Sequence, residues 1–559
     1  MTHSDTATTA ANAAFDDLLG RYYGAWFRFH PEAAVDAGVP GYAHRLTPFT
    51  EEEAGALVCL NDKLAVSLEE IDPARLDADR RIDYWLARGA ASIENERLLE
   101  IDPRRPDPMR MVPVNAIYQL TIRPVDNFSE ALLARLEAIP DHLAAARDFL
   151  IARAGLVPRL WAESAATAAA QGIEFLRALP AHPKLSAVAE RERLSESLAQ
   201  ASRALAGYAE FLRRDIVPAA EGNVACGTPH FERLLRQRHF LEVDVDRLYA
   251  FGQRLAAETE SELSSACRAL IGGDDVAAAL AYVRREHPTR DALLATYREK
   301  MQAARAFLAA RDLVTLPARE RLEVVDTPAF LRHQIPFAAY CDPAPNDPEQ
   351  HGYYYVTPPA DEAELVEHDL VGIGHTCVHE AWPGHHLHFV STNLNPVARS
   401  LPRLLNASAT CYEGWALYSE QLMHEQGFLD RPESRFVLLR DRLWRALRVL
   451  IDIDLHVRGL APEQAAERLS RQLGFAPAQA LAEITWYSRA PTVPLGYATG
   501  WAAIGALRRL LAEGMTLKAF HDRLLSAGAI ALPIGIARAF GEAQWAAVRD
   551  ELFAGGGQA

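Results

Sequence analysis

Apolar residues recur at three- and four-residue intervals through most of the 559-residue chain. LLARLEAIPDHLAAARDFLIARA (132–154) and RLYAFGQRLAAETESELSSACRALI (247–271) show the pattern, with Ala, Leu, Arg and Glu between the apolar sites. That spacing predicts amphipathic helices. Prolines punctuate them, as in DPRRPDPMRMVP (102–113), and PAPNDPEQHG (343–352) reads as a loop. Strand-like stretches are scarce, RLEVVDTP (321–328) and GYYYVTPP (352–359) being the best. No repeat of fixed period stands out. The expectation is a mainly α, large two-lobed body with one small antiparallel β-sheet beside the candidate chemistry. A single domain would span 11–554, with a helical lobe over about 11–320 and a second lobe over about 321–554. Residues 1–10 would form a flexible N-terminus and GGGQA (555–559) a loose tail.

Composition changes this picture little. Apolar residues make up 49% and charged residues 24%, as in ordinary soluble proteins. The formal charge of −16 is spread along the chain, which argues against nucleic acid or an anionic membrane as the main partner. Six cysteines lie far apart with no C-x-x-C pair, so neither a disulfide framework nor an all-cysteine zinc knot is expected, and a reducing compartment fits. The start, MTHSDTATTAANAAFDDLL, lacks a basic segment followed by an apolar core. A cytoplasmic protein without a signal peptide or membrane span is therefore expected.

The chemistry concentrates in HEAWPGHHLH (379–388). The preceding ELVEHDLVGIGHTCVHE (364–380) predicts a helix ending in His379 and Glu380, with His375 one turn before them. Two histidines at i and i+4 share a helix face and can grip one metal. Here Pro383 takes the i+4 place, and a proline inside a helix clashes with the carbonyl four residues back. If Pro383 and Gly384 absorb two extra residues as a bulge or kink, His385 arrives where the i+4 ligand would stand. His386 would then point about 100° away and is the reserve candidate. Two imidazoles leave a catalytic zinc one protein ligand short. ATCYEGWALYSEQLMHEQG (409–427) offers Glu413, Glu420 and Glu425; one would close the site, and another could orient a ligand imidazole.

HEAWPGHHLH followed by YEGWALYSE resembles the bacterial DUF885 family, with its H-E-x-x-P-G-H-H and E-G-W-A pattern. The likeness extends over nearly the whole chain, through LLEIDPRRPDPMRM (98–111), RLEAIPDHLAAAR (135–147), IPFAAYCDP (335–343) and GYYYVTPP. It implies a gluzincin-type zinc metallopeptidase with a helical fold like the neurolysin and M32 carboxypeptidase groups. Glu413 would then be the third zinc ligand and Glu380 the general base, and the interrupted histidine spacing would be the family's normal form. Tyr497, in SRAPTVPLGYATGW (488–501), aligns with the block P-G-x-x-x-x-Y-x-x-G and would donate to the oxyanion; Tyr487 and Tyr355 are weaker candidates.

Arg445, Arg448, Asp452 and His456 form a polar stripe on an otherwise apolar helix, similar to the block R-x-x-R-x-x-x-D-x-G-x-H. A functional reading puts His456 near the substrate and one of Arg445, Arg448 or Arg489 on its carboxylate; a plain internal salt-bridged stripe is the competing one. Departures from the family pattern cluster at substrate-facing positions: His388 for Gln, Trp486 for Arg, Asp454 for Gly, and Pro491-Thr492-Val493 for P-G-Q. The first hypothesis is a zinc-dependent amide hydrolase, oligopeptidase- or carboxypeptidase-like, acting on small peptides or peptide-like substrates. The alternatives are a helical binding protein with a structural or vestigial metal site, and a zinc hydrolase of a non-peptide amide or ester. Sequence leaves the oligomeric state open.

Overall fold

The computed structural model describes residues 3–328, 332, 335, 337–359 and 361–554. The chain is mainly helical and divides into two compact units. Unit 1 comprises residues 1–224 with 328–334 and 344–346, and unit 2 the remainder. The division falls after Val224, about a hundred residues before the lobe boundary that the sequence suggests. No helix among the described residues is long and apolar enough to cross a membrane.

Unit 1 is built from α1 (His3–Trp26), α2 (Glu51–Glu69), α3 (Ala78–Glu96), α4 (Phe128–Ile151), α5 (Arg159–Ala178) and α6 (Arg191–Phe211). From His3 onward the alanine-rich start is helical. Met1, Thr2 and the expected tail at 555–559 lie outside the described residues. Caps set the helix starts: Thr50 accepts from Glu53 N, and Asp77 accepts from the amides of Asp79 and Arg80. Helices α4 and α5 both pack on α6.

Unit 2 contains α7 (Val245–Ile271), α8 (Leu293–Arg311), α9 (Leu370–Glu380), α10 (His385–Leu394), α11 (Ala409–Glu425), α12 (Pro432–His456), α13 (Pro477–Arg489) and α14 (Gly496–Leu511). Asp369 starts α9 by accepting from Gly372 N, and Ser408 starts α11 by accepting from Thr410 N. Helices α7 and α12 run against each other, as do α11 and α14. Their facing sides form one continuous apolar core through Leu248, Phe436, Leu447, Ile451, Trp415 and Ile504.

Three strands complete unit 2: β1 (Arg321–Asp326), β2 (Ala338–Cys341) and β3 (His351–Val356). Their order is β1-β3-β2, with Val324 opposite Tyr354 in a parallel pair and Tyr340 opposite Tyr354 in an antiparallel one. The sheet is mixed, which corrects the expected antiparallel arrangement. The connection from β1 to β3 is long enough for a parallel return, and the unforeseen β2 supplies the antiparallel edge. The sheet backs α10: a side chain at Gly352 would meet the His386 ring at 3.0 Å.

Candidate metal centre

Helix α9 stops at Glu380, and Ala381–Gly384 form a break before α10 begins at His385. The break is held from both sides. Gly384 N donates to Val378 O at 3.0 Å, and Trp415 Nε1 of α11 donates to Pro383 O at 2.7 Å. Gly384 is obligatory, because a Cβ there would sit 1.8 Å from His379 O. The expected bulge within one helix is thus a full interruption between two.

The interruption brings His379, His385 and Glu413 together, with one donor atom from each within 4.8 Å of the others. Glu413 Oε2 lies 3.6 Å from His379 Nε2 and 3.3 Å from His385 Nε2. A tetrahedral zinc with bonds near 2.0–2.1 Å separates neighbouring ligands by roughly 3.3–3.4 Å. Glu413 Oε2 is buried, yet it has no aligned hydrogen-bond partner among the described residues. The spacing therefore suits a shared cation better than hydrogen bonds, and the donor chemistry fits zinc.

His386, the reserve candidate, turns the other way. Its Nδ1 lies 3.1 Å from the Tyr340 hydroxyl and its Nε2 3.0 Å from Glu320 Oε2. Glu420 is not at the donor cluster; it sits behind His379. Its two oxygens accept from His379 Nδ1 at 2.8 Å and His375 Nδ1 at 3.2 Å. That bond fixes the His379 tautomer, leaving Nε2 free to face Glu413. Glu425 is an exposed charge paired with Arg508.

Electrostatics support a cation here. Burial disfavours charge on the His379 imidazole, but Glu413 and Glu420 outweigh it and raise the group to about 10. Burial pulls both carboxyls up, and the imidazoles overcome it: His385 and His379 hold Glu413 well below the usual range, and His375 and His379 do so for Glu420. Two buried carboxylates facing imidazoles call for positive charge.

Of the three donors, His379 lines a cavity of about 510 Å³, whose walls also include Glu380, Tyr497, Trp444, Arg445 and Arg448. Glu380 is half-buried on this wall. Burial, followed by the Glu413 carboxylate, holds the Tyr497 phenol well above its ordinary range. A larger hollow of about 660 Å³ in unit 1, around Val39, His44 and Asn127, holds no comparable donor set among the described residues.

The structure does not bring His456 to the site. It is fully buried at the far end of α12, with Nε2 3.0 Å from Tyr487 O and its ring against Phe231. Eleven residues of helix carry it about 16 Å from Arg445, so one stripe on α12 serves two places. Asp452, also fully buried, accepts from the amides of Thr492 and Leu495 at 3.3 and 3.4 Å. His239 grips the same loop, with Nε2 3.0 Å from Thr492 Oγ1 and Nδ1 2.9 Å from Ser408 Oγ. Together they fix the turn that carries Tyr497 into α14. Arg489 does not line the cavity. The tethers from Glu320, Tyr340 and His239 carry no local sequence signal, since each acts across more than forty residues.

Fold and geometry define a mainly helical protein with a buried centre of two imidazoles and one carboxylate at a cavity wall. The chain belongs to the family described as bacterial protein of unknown function (DUF885), whose profile matches residues 31–534. Among solved structures it is similar to a candidate lipoprotein of unknown function from Shewanella oneidensis, at 21% identity and a TM-score of 0.75, covering 93% of this chain and 98% of that one. A candidate lipoprotein from Colwellia psychrerythraea is similar at 18% identity and a TM-score of 0.78, covering 97% and 99%. At such identities the likeness establishes the fold. No curated protein matches the chain.

Proposed function

We propose that this protein is a zinc-dependent amide hydrolase of the gluzincin type, acting on short peptides or peptide-like substrates. The observation that carries the reading is the convergence of His379, His385 and Glu413 within 4.8 Å beside the Glu380 wall of the cavity. Bound there, zinc supplies Lewis acidity and lowers the pKa of its water toward neutrality. Glu380 follows His379 in sequence and is directed to the cavity, where its carboxylate takes a proton from water and returns it to the leaving amine. Tyr497 stays protonated in its buried setting and donates its hydroxyl to the oxyanion that develops on the scissile carbonyl. Glu420 holds His379 in place and does not touch substrate. A purely structural metal site would close its donors off, whereas His379 and Glu380 front open space. A cavity of about 510 Å³ admits a short peptide and not a folded chain.

The test compares wild type with Glu380→Gln for bound zinc and for hydrolysis of a peptide library. Both proteins are expected to carry zinc, with turnover in the variant lower by on the order of 10²- to 10⁴-fold. Zinc in both with no peptide cleaved by either would overturn the reading.

A further inference from the structure

The same cavity is also lined by arginine. Arg440, Arg445 and Arg448 all reach it from α12, and Arg445 and Arg448 are only 8% and 4% exposed. Three guanidiniums there share two carboxylates within ion-pair distance. Asp441 lies 3.6 Å from Arg440 and 3.5 Å from Arg445, and Glu483 lies 3.1 Å from Arg448. Arg445 Nε and Arg448 Nη1 are buried with no hydrogen-bond partner among the described residues. Buried donors in that state are costly unless something accepts from them.

The two side chains are also held ready. Both approach the Trp444 ring, with guanidinium carbons 4.2 Å (Arg445) and 4.4 Å (Arg448) from its centre. Arg448 Nε donates to the Tyr487 hydroxyl at 2.8 Å, and its guanidinium sits 4.3 Å from the Tyr497 ring centre. Tyr497 stands beside Arg448, and the Glu413 carboxylate acts on its phenol, so one tyrosine lies between the arginines and the donor cluster. That gap corresponds to one or two residues of extended chain, at roughly 3.5 Å each.

We infer that Arg445 and Arg448 bind the free C-terminal carboxylate of the substrate, so that the bond presented to the donor cluster is one or two residues from the end. The cleavage part of this rests on the hydrolase reading above; the carboxylate subsite does not. Acidic side chains offer the same chemistry, and the length of the gap favours the chain terminus.

The test measures binding of an N-acyl dipeptide, its C-terminal amide, and an amide of the same length carrying a glutamate side chain, by calorimetry with Glu380→Gln. Wild-type kcat/KM is measured for the same three. The free acid is expected to bind on the order of 10- to 100-fold more tightly than either amide. Arg445→Met should erase that preference while leaving amide binding as it was, and Arg445→Lys should restore part of it. A misfolded variant would weaken all three ligands, and the wild-type comparison stands without any variant. Equal binding of acid and plain amide overturns the subsite, as does a glutamate-bearing amide that binds like the free acid. Cleavage of acid and amide alike refutes the subsite and keeps the hydrolase; preferential binding of the acid with no cleavage does the reverse.

Discussion

Gly500→Ala tests whether the packing of α14 on α11 fixes the third donor. A Cβ at Gly500 would stand 1.9 Å from Thr410 O and 2.8 Å from the Gly414 Cα. Carbon and oxygen approach favourably to about 3.3 Å, so the two helices must part by more than 1 Å. Such overpacking costs about 1–3 kcal/mol, partly offset by the better helix propensity of alanine, near 1 kcal/mol. The net expectation is a loss of about 0–2 kcal/mol. Thr410 is one turn from Glu413, and Tyr497 is one turn from Gly500, so the displacement reaches both. Metal–ligand distances tolerate about 0.2 Å, and zinc affinity should fall on the order of 10- to 100-fold. Gly505→Ala is the control on the same helix, where the new Cβ would meet only the mobile end of Arg509 at 3.5 Å. It should leave affinity unchanged and raise stability by up to about 1 kcal/mol. Zinc titration against a competing chelator, with urea unfolding alongside, reads both quantities. Equal affinity and equal stability in the two variants would refute the reasoning.

His385→Ala should abolish stoichiometric zinc, whereas His386→Ala should keep it and lose stability, because Glu320 and Tyr340 are left without their shared partner; metal analysis showing the reverse would reassign the ligand. Acid should weaken unit 2 through its buried neutral histidines. Burial, reinforced by Arg238, pushes His239 down to about 3, and burial pushes His521 down to about 4. Both lie below the unfolded value near 6.5, so the unfolded chain takes the proton first. Their stability is fully present above about pH 6.5 and is lost as pH falls toward 4–3. At pH 5.5 each accounts for about 1.4 kcal/mol. Chemical denaturation of His239→Gln at pH 7.5 and 5.5 should show the acid-induced loss reduced by about that amount, and an unchanged loss would count against it.

Helical periodicity put His379 at the end of α9 and the proline marked the break after it, but His385 meets His379 from a second helix and not through a bulge in the first. What sequence could not supply was depth along a helix. Arg445, Arg448, Asp452 and His456 share a stripe, yet only the first two front the cavity; Asp452 ties down a loop and His456 packs in the core. Periodicity gives the face a residue lies on and not what stands opposite it. The role of Glu420 was narrowed to ligand or orienting carboxylate, and packing of α11 against α9 decided its placement behind His379. Strand β2 escaped notice because AAYC is too short to show alternation, and the sheet's mixed character depends on it.

His379 and Glu413 stand 34 positions apart along the chain, with His385 between them. A cation joining all three would fasten that span like a clasp, and it would strengthen the native arrangement by about 2.7 kcal/mol when present at a hundred times its dissociation constant. Scarcity of the ion would then be felt twice, as a silent centre and as a segment that springs open to proteolysis.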